Sequence, residues 1–402
     1  LPDNPQCWNL VVESACSMSS TPLDSLVPAR EPKRVLALLP ATGVNSAPAV
    51  AAAFGLRILR QTELKALNQV LVVLEISGSA TVDGLLPQLI ADGRISAAQP
   101  EFIYRTSAEH GDPYAAMAYG PKQIGAPRLH ASATGKGGLV AVIDTGADSE
   151  HPELRDNIVE THDLTGNGWS ADLHGTAIAG IIAAKADNGI GSYGVAPNVK
   201  ILALKACQPE RAGKLGARCW TSTLVQALDM AMQKQAKIIN MSLGGPPDEL
   251  VARIIRAAQQ QGHLIIAAAG NGGPYAKPAF PAALEEVVAV TAVDALEKAY
   301  RQANIGDFID LAAPGVDIVS VTPGDNYPVL SGTSMASAHV AGAAALLAEL
   351  MPTATARQLR DALANNVIDL GLPGPDQAFG RGRIDICKAA ATLSGGAPCG
   401  SE

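Results

Sequence analysis

The sequence predicts an α/β protein: a three-layer domain built on a parallel sheet, with a smaller α+β domain before it. Two observations carry that expectation. Between residues 139 and 350, short apolar runs (VAVID, KILALKA, AKIINMSL, HLIIAAAG and VVAVTAV) alternate with helical stretches. Strands that are apolar along their whole length are covered on both faces, as in parallel sheets with helices between the strands. In the first hundred residues a separate, shorter pattern of strands and helices stands apart.

In chain order, residues 1–32 form a proline-bearing arm to which the pattern assigns no element. RVLALL at 34–39 reads as a strand, 47–54 as a helix, 56–62 and 70–76 as strands, 81–91 as a helix and 101–105 as a strand. That β-α-β-β-α-β succession, over 33–105, is a ferredoxin-like order. TSAEHGDP, 106–113, is polar and carries Gly and Pro, the composition of an exposed and cleavable linker. A permanent accessory domain is the other reading of 33–105. The main domain then runs from 114 to 390, and ATLSGGAPCGSE, 391–402, reads as surface coil. There is no internal repeat and no low-complexity segment.

Composition narrows the function classes. The 402 residues exceed one typical domain, and 48% hydrophobic content is enough for a large core. Charged residues make up 17%, below the average of roughly 25%. The net charge is −8 and no Lys/Arg run occurs, which argues against nucleic-acid binding. No apolar run reaches the roughly 18 residues that span a bilayer. The first residue is Leu1 rather than Met, consistent with a signal peptide removed upstream. Six cysteines fall into three local couples, Cys7–Cys16, Cys207–Cys219 and Cys387–Cys399. Six cysteines allow 15 connectivities, and these couples are chosen by proximity; the absence of a C-x₂-C pair weakens a zinc reading, and disulfides in an oxidising compartment are favoured over free buried thiols. A secreted or periplasmic protein is expected.

Three segments carry chemistry. In GTSMASAHVAG, 332–342, Gly-Thr makes a tight turn and Ser334 opens an apolar helix, at the positive end of its dipole. An alcohol exposed there attacks a carbonyl if a base stands beside it. In HGTAIAGIIAA, 174–184, His174 precedes a helix of small residues. In VAVIDTGADSEHPEL, 140–154, a strand ends in Asp144 at a glycine turn. Carboxylates at strand ends in open α/β sheets face the crevice at the carboxyl edge. Taken singly, Asp144 and His174 also read as a turn residue and a helix cap.

Together, in the order Asp, His, Ser, these motifs resemble the subtilisin-like serine proteases. The resemblance runs from about 112 to 390. It includes IINMSLGG (238–245), IIAAAGNGG (265–273), FPA (280–282), APG (313–315) and FGRGRIDICKAA (379–390). It implies a secreted endopeptidase with Ser334 as nucleophile, His174 as general base and acid, Asp144 as its orienting partner and Asn271 as oxyanion-hole amide. It also implies that Ser242, Leu243 and Gly244 pair with substrate backbone. With Ala268, Ala269 and Gly270 they line the first specificity pocket. No acidic residue lies in either segment, and Ala279 stands near the pocket floor, so medium apolar side chains are favoured. Two departures are Ala177, where the family often has a second histidine, and Ala338, where it has proline.

The resemblance extends by pattern and place to 33–105 as an inhibitory prosegment, acting on its own protease domain. It implies protein or peptide substrates, a monomer, and no cofactor for the chemistry. ADNGIGSYG, 186–194, is similar to a calcium loop of the family, with Asn188, Glu153 and the carbonyls of Ala186, Ile190 and Ser192 as ligands. Hard cations take such oxygen sets. An unmetallated Asn-Gly surface loop is the equal alternative. Two other functions share these residues: a processing protease dedicated to one precursor, and a binding protein on a silenced protease scaffold.

Overall fold

The computed structural model describes residues 30–41, 46–102, 111–211, 213–324, 326–396 and 399. The chain divides into two compact units, 1–107 and 108–402. The couple Cys7–Cys16 and linker residues 106–110 lie outside the described residues.

The first unit contains β1 (Arg30–Pro40), α1 (Ala47–Ala53), β2 (Leu56–Leu64), β3 (Gln69–Ile76), α2 (Val82–Ala91) and β4 (Ala97–Phe102). Its antiparallel sheet has the order β2-β3-β1-β4. Period-two burial on β1 (Val35, Ala37, Leu39) and on β3 (Val70, Val72, Leu74, Ile76) gives one apolar face. That face packs on Val50 of α1 and on Val82, Leu85 and Leu89 of α2. The Thr81 hydroxyl accepts Gly84 N at 3.2 Å and starts α2. The strand expected at 101–105 is corrected to Ala97–Phe102, and residues 103–105 lie outside the described residues. Pairing with β1, from Leu38↔Ala97 to Val35↔Pro100, sets that register. The strand lies at the sheet edge, where a proline is tolerated; its polar AAQPEF sequence gave no apolar signal.

The second unit contains β5 (Leu139–Asp144), β6 (Ile158–Asp163), α3 (Leu173–Ala183), β7 (Lys200–Lys205), β8 (Cys207–Pro209), β9 (Ala217–Cys219), α4 (Thr221–Gln233), β10 (Ile238–Met241), α5 (Glu249–Gln260), β11 (Leu264–Ala268) and β12 (Val287–Val293). After these come β13 (Leu311–Pro314), β14 (Ile318–Val319), β15 (Val329–Leu330), α6 (Thr333–Leu350), α7 (Ala356–Asn365), β16 (Val367–Ile368), β17 (Arg383–Ile384) and α8 (Ile386–Ser394). The main sheet has the order β16-β17-β13-β12-β11-β10-β5-β7-β6. All its pairings are parallel except β16 with β17.

Alternate residues of one strand enter different cores. Val140 and Val142 join a cluster with α3, α6, α7 and α8. Ala141 and Ile143 join one with Ala227, Leu228 and Ala231 of α4 and Val251 and Ile255 of α5. Helices therefore cover both faces, and the sheet is the middle of three layers. The small-residue helix α6 lies against β10 to β13 and α3. At its far end the Glu349 carboxylate accepts the backbone amides of Thr134, Gly135 and Lys136 at 2.6, 2.6 and 2.9 Å. Midway, His339 is fully buried, and Gly120 packs directly on its ring. A Cβ at Gly120 would stand 2.2 Å from His339 Nε2. Disulfides join Cys207 to Cys219, closing the β8–β9 hairpin, and Cys387 to Cys399.

Candidate active site

The carboxyl ends of the central strands open into a cleft of about 910 Å³. Asp144, the last residue of β5, His174, in the first turn of α3, and Ser334, in the first turn of α6, all line it. Three elements distant in sequence thus deliver one group each to the same sheet edge.

Asp144 Oδ1 accepts from His174 Nδ1 at 2.7 Å and from Thr145 N at 2.7 Å. Among the described residues the Asp144 Oδ2 atom meets no hydrogen-bond partner. Burial pulls the His174 imidazolium down. The Asp144 charge and hydrogen bond, and then the Asp172 charge, outweigh that, so its pKa lies above the ordinary histidine value. Asp144 therefore holds the ring with Nδ1 as donor, and Nε2 is the nitrogen available as base.

Ser334 was expected to stand exposed; it is 8% exposed, because α6 packs against the sheet right up to its first turn. Its hydroxyl donates to the Ser242 carbonyl at 3.1 Å. Ser334 and His174 share the cleft, with the Ser334 hydroxyl turned to Ser242. The Ser242 side chain is buried: its Oγ lies 2.9 Å from Ser337 Oγ and 3.1 Å from the Ser334 carbonyl, and it accepts Asn240 Nδ2 at 2.9 Å. It braces the start of α6.

Asn271 presents its amide beside the Gly332–Ser334 turn. Its Oδ1 accepts Thr333 N at 3.0 Å and Thr333 Oγ1 at 2.9 Å. Thr333 Oγ1 in turn accepts Gly270 N at 3.1 Å. With the oxygen fixed, Nδ2 is directed to Gly332, where an added Cβ would lie 3.1 Å from it. Asn304 supports the same loop, accepting Gly272 N at 2.8 Å and donating to the Lys277 carbonyl at 3.2 Å. Ser242, Leu243, Gly244, Ala268 and Gly270 line the cleft, whereas Ala269 is fully buried and does not. Ala279 lies between the two segments: a Cβ on Gly244 would meet its methyl at 3.1 Å and one on Gly270 at 3.2 Å.

Thr145, Asp172, Asn304 and Thr333 carry much of this geometry; sequence reasoning gave Thr333 only a place in a turn and passed over the other three. Asp172 alone left a local signal, an acidic residue just before a helix start.

Around the 186–194 loop the side-chain oxygens meet nearby donors. Glu153 Oε1 accepts Ser192 N at 3.0 Å and Oε2 accepts Asn188 Nδ2 at 3.1 Å. Asn188 Oδ1 accepts Ile190 N at 3.0 Å. Asp112 accepts the amides of Asp187, Asn188 and Gly189 at 2.9, 2.9 and 3.0 Å. Burial pushes the Glu153 carboxyl up to about 7, with the Asn188 and Ser192 hydrogen bonds pulling it back only in part. Among the described residues no group of three or more His, Cys, Asp or Glu side chains is disposed to hold a metal ion. As arranged, Glu153 and Asn188 are hydrogen-bonded to each other and to the amides of Ser192 and Ile190.

No helix among the described residues is long and apolar enough to cross a membrane. Residues 135–382 match the family model described as the subtilase family. A thermophilic serine proteinase of Bacillus sp. strain AK1 is 37% identical over 66% of this chain and 66% of its own length. Subtilisin NAT of Bacillus subtilis subsp. natto is 37% identical over 68% of this chain and 71% of its own. Thermitase of Thermoactinomyces vulgaris is 35% identical over 69% and 98%. A solved structure of proteases from Pseudoalteromonas arctica PAMC 21717 superposes with a TM-score of 0.63 at 27% identity, covering 71% of this chain and 100% of that one. With family match, fold and relatives in agreement, the chain belongs to the subtilase family and is a subtilisin-like serine endopeptidase.

Proposed function

We propose that this chain is a secreted endopeptidase made as a precursor, cutting protein or peptide substrates through an acyl-enzyme. The observation that carries the reading is the 2.7 Å Asp144–His174 hydrogen bond in a cleft that Ser334 and Asn271 also line. Ser334 attacks the scissile carbonyl as His174 takes its proton. Asp144 keeps the ring in the required tautomer and stabilises the imidazolium. Asn271 Nδ2 donates to the developing oxyanion. His174 then protonates the leaving amine, and water releases the acyl group by the same steps in reverse roles. No cofactor enters these steps; a structural calcium ion at the 186–194 loop, with Glu153, Asn188 and the carbonyls of Ala186, Ile190 and Ser192, is the alternative to an unmetallated loop. Two disulfides support an oxidising compartment.

Residues 33–105 act as an intramolecular inhibitor, removed by cleavage within 104–113. Support comes from the separate first unit with its own core. The test compares native protein with Ser334→Ala after secretion, by mass spectrometry and peptide hydrolysis. The variant should stay full length and lose hydrolysis; native protein should shorten by about a hundred residues, since only an active nucleophile cuts the junction. Ser334→Ala turnover within tenfold of native overturns the catalytic assignment, and an uncut, fully active native protein overturns the precursor. A peptide-library profile separates a general endopeptidase from one dedicated to a single precursor.

A further inference from the structure

Behind His174, away from the cleft lining, lies a second buried carboxylate. Asp172 is 6% exposed and caps the helix that carries His174, its Oδ2 accepting His174 N at 3.2 Å. The same oxygen accepts Thr145 Oγ1 at 2.8 Å. Thr145 Oγ1 also lies 3.2 Å from Asp144 Oδ1 and accepts Gly175 N at 3.0 Å. A hydroxyl has one proton. Two carboxylates compete for it, and the shorter contact is to Asp172. Asp144 then keeps its backbone donor and His174 as partners.

The other charge near this group is Lys205, in register beside Asp144. Its ammonium turns to the Gly168 carbonyl at 2.9 Å and Ser170 Oγ at 2.6 Å. The α6 side presents the neutral Thr333 and Ser334. Asp144 and Asp172 are therefore the charges that act on the ring, and both are negative.

We propose that Asp172 is a positioning residue for proton transfer: it fixes the His174 backbone, takes the Thr145 proton so that Asp144 is left to the imidazole, and adds a second negative charge behind the ring. This rests on the catalytic reading above. A second carboxylate favours the imidazolium, so His174 becomes a competent base only at higher pH than with one partner.

The test is kcat/KM against pH for the active secreted protein, for Asp172→Asn and for Asp172→Ala, with melting temperatures alongside. Asn still caps a helix and accepts from Thr145, but carries no charge. Asp172→Asn should melt close to native while the acid limb of kcat/KM moves to lower pH. Asp172→Ala loses cap and charge, and kcat should fall about tenfold or more across the pH range while KM changes little. If Asp172→Ala does not fold, the Asn variant still decides. An acid limb in Asp172→Asn that overlays native overturns the proposal. A Ser334→Ala protein with native activity sinks the catalytic reading instead, so the two failures are distinguishable.

Discussion

Acid should destabilise the second unit through His339. The ring is fully buried in α6, and its Nδ1 donates to the Met335 carbonyl at 2.8 Å. Burial lowers its pKa to about 4, and the Met335 and Pro314 carbonyls restore little of that. An unfolded histidine titrates near ~6.5. As pH falls between those values, the unfolded chain binds a proton that the folded chain refuses. Stability from the neutral ring is complete above pH ~6.5 and is lost progressively down to pH ~4. At about 1.4 kcal/mol per pH unit, the whole gap is worth about 3.5 kcal/mol. The assay is urea unfolding at pH 7.5 and 4.5 in a Ser334→Ala background, which prevents self-digestion, with and without His339→Gln. Glutamine keeps a donor for Met335 but does not titrate. His339→Gln should be less stable at pH 7.5 and should lose about 2.5 kcal/mol less between pH 7.5 and 4.5, since every other titrating group is common to both proteins. Equal losses in the two proteins would refute the argument.

Other outcomes follow from the cleft and its flanking loop. Asn271→Ala should cut kcat by about 10²–10³ with KM little changed, because the lost donor serves mainly the transition state; a KM-only effect speaks against an oxyanion role. Ala279→Gly removes the methyl packed between Gly244 and Gly270, and a peptide library should show preference before the cut shifting toward larger aromatic side chains. An unchanged profile would remove Ala279 from the pocket. Chelation with EDTA should leave the melting temperature unchanged, since Glu153 and Asn188 are bonded within their loop; a fall reversed by added calcium would overturn that.

The legible parts of this chain were those written locally. Asp144, His174 and Ser334 each sit at a strand end or helix start flanked by small residues, and such junctions leave signatures in neighbouring sequence. The buried strands were legible for the same reason, their apolar runs being continuous. Ile158–Asp163 was passed over because IVETHD, an edge strand, carries no such run. Thr145, Thr333 and Asn304 work through hydrogen bonds across 27 to 63 residues, and nothing beside them in the chain announces that. In the 186–194 loop the composition says nothing of the Glu153–Asn188 and Asn188–Ile190 hydrogen bonds that form there. Composition does not encode which donor an oxygen meets.

The grip of Glu349 on the amides of Thr134, Gly135 and Lys136 has a kinetic consequence. It spans 213 to 215 residues and ties the entry to β5 to the far end of α6. β5 itself lies between β10 and β7, so the centre of the sheet joins segments made at very different times. Loop closure over such separations precedes any reward from the contacts, which slows folding. On a ribosome adding about 5–20 residues per second, this unit waits tens of seconds for its fastening to emerge. Refolding of Ser334→Ala should be slow, and Glu349→Gln should weaken that fastening and speed unfolding more than it slows refolding. A fast-refolding chain indifferent to residue 349 would show that the unit organises itself before its ends meet.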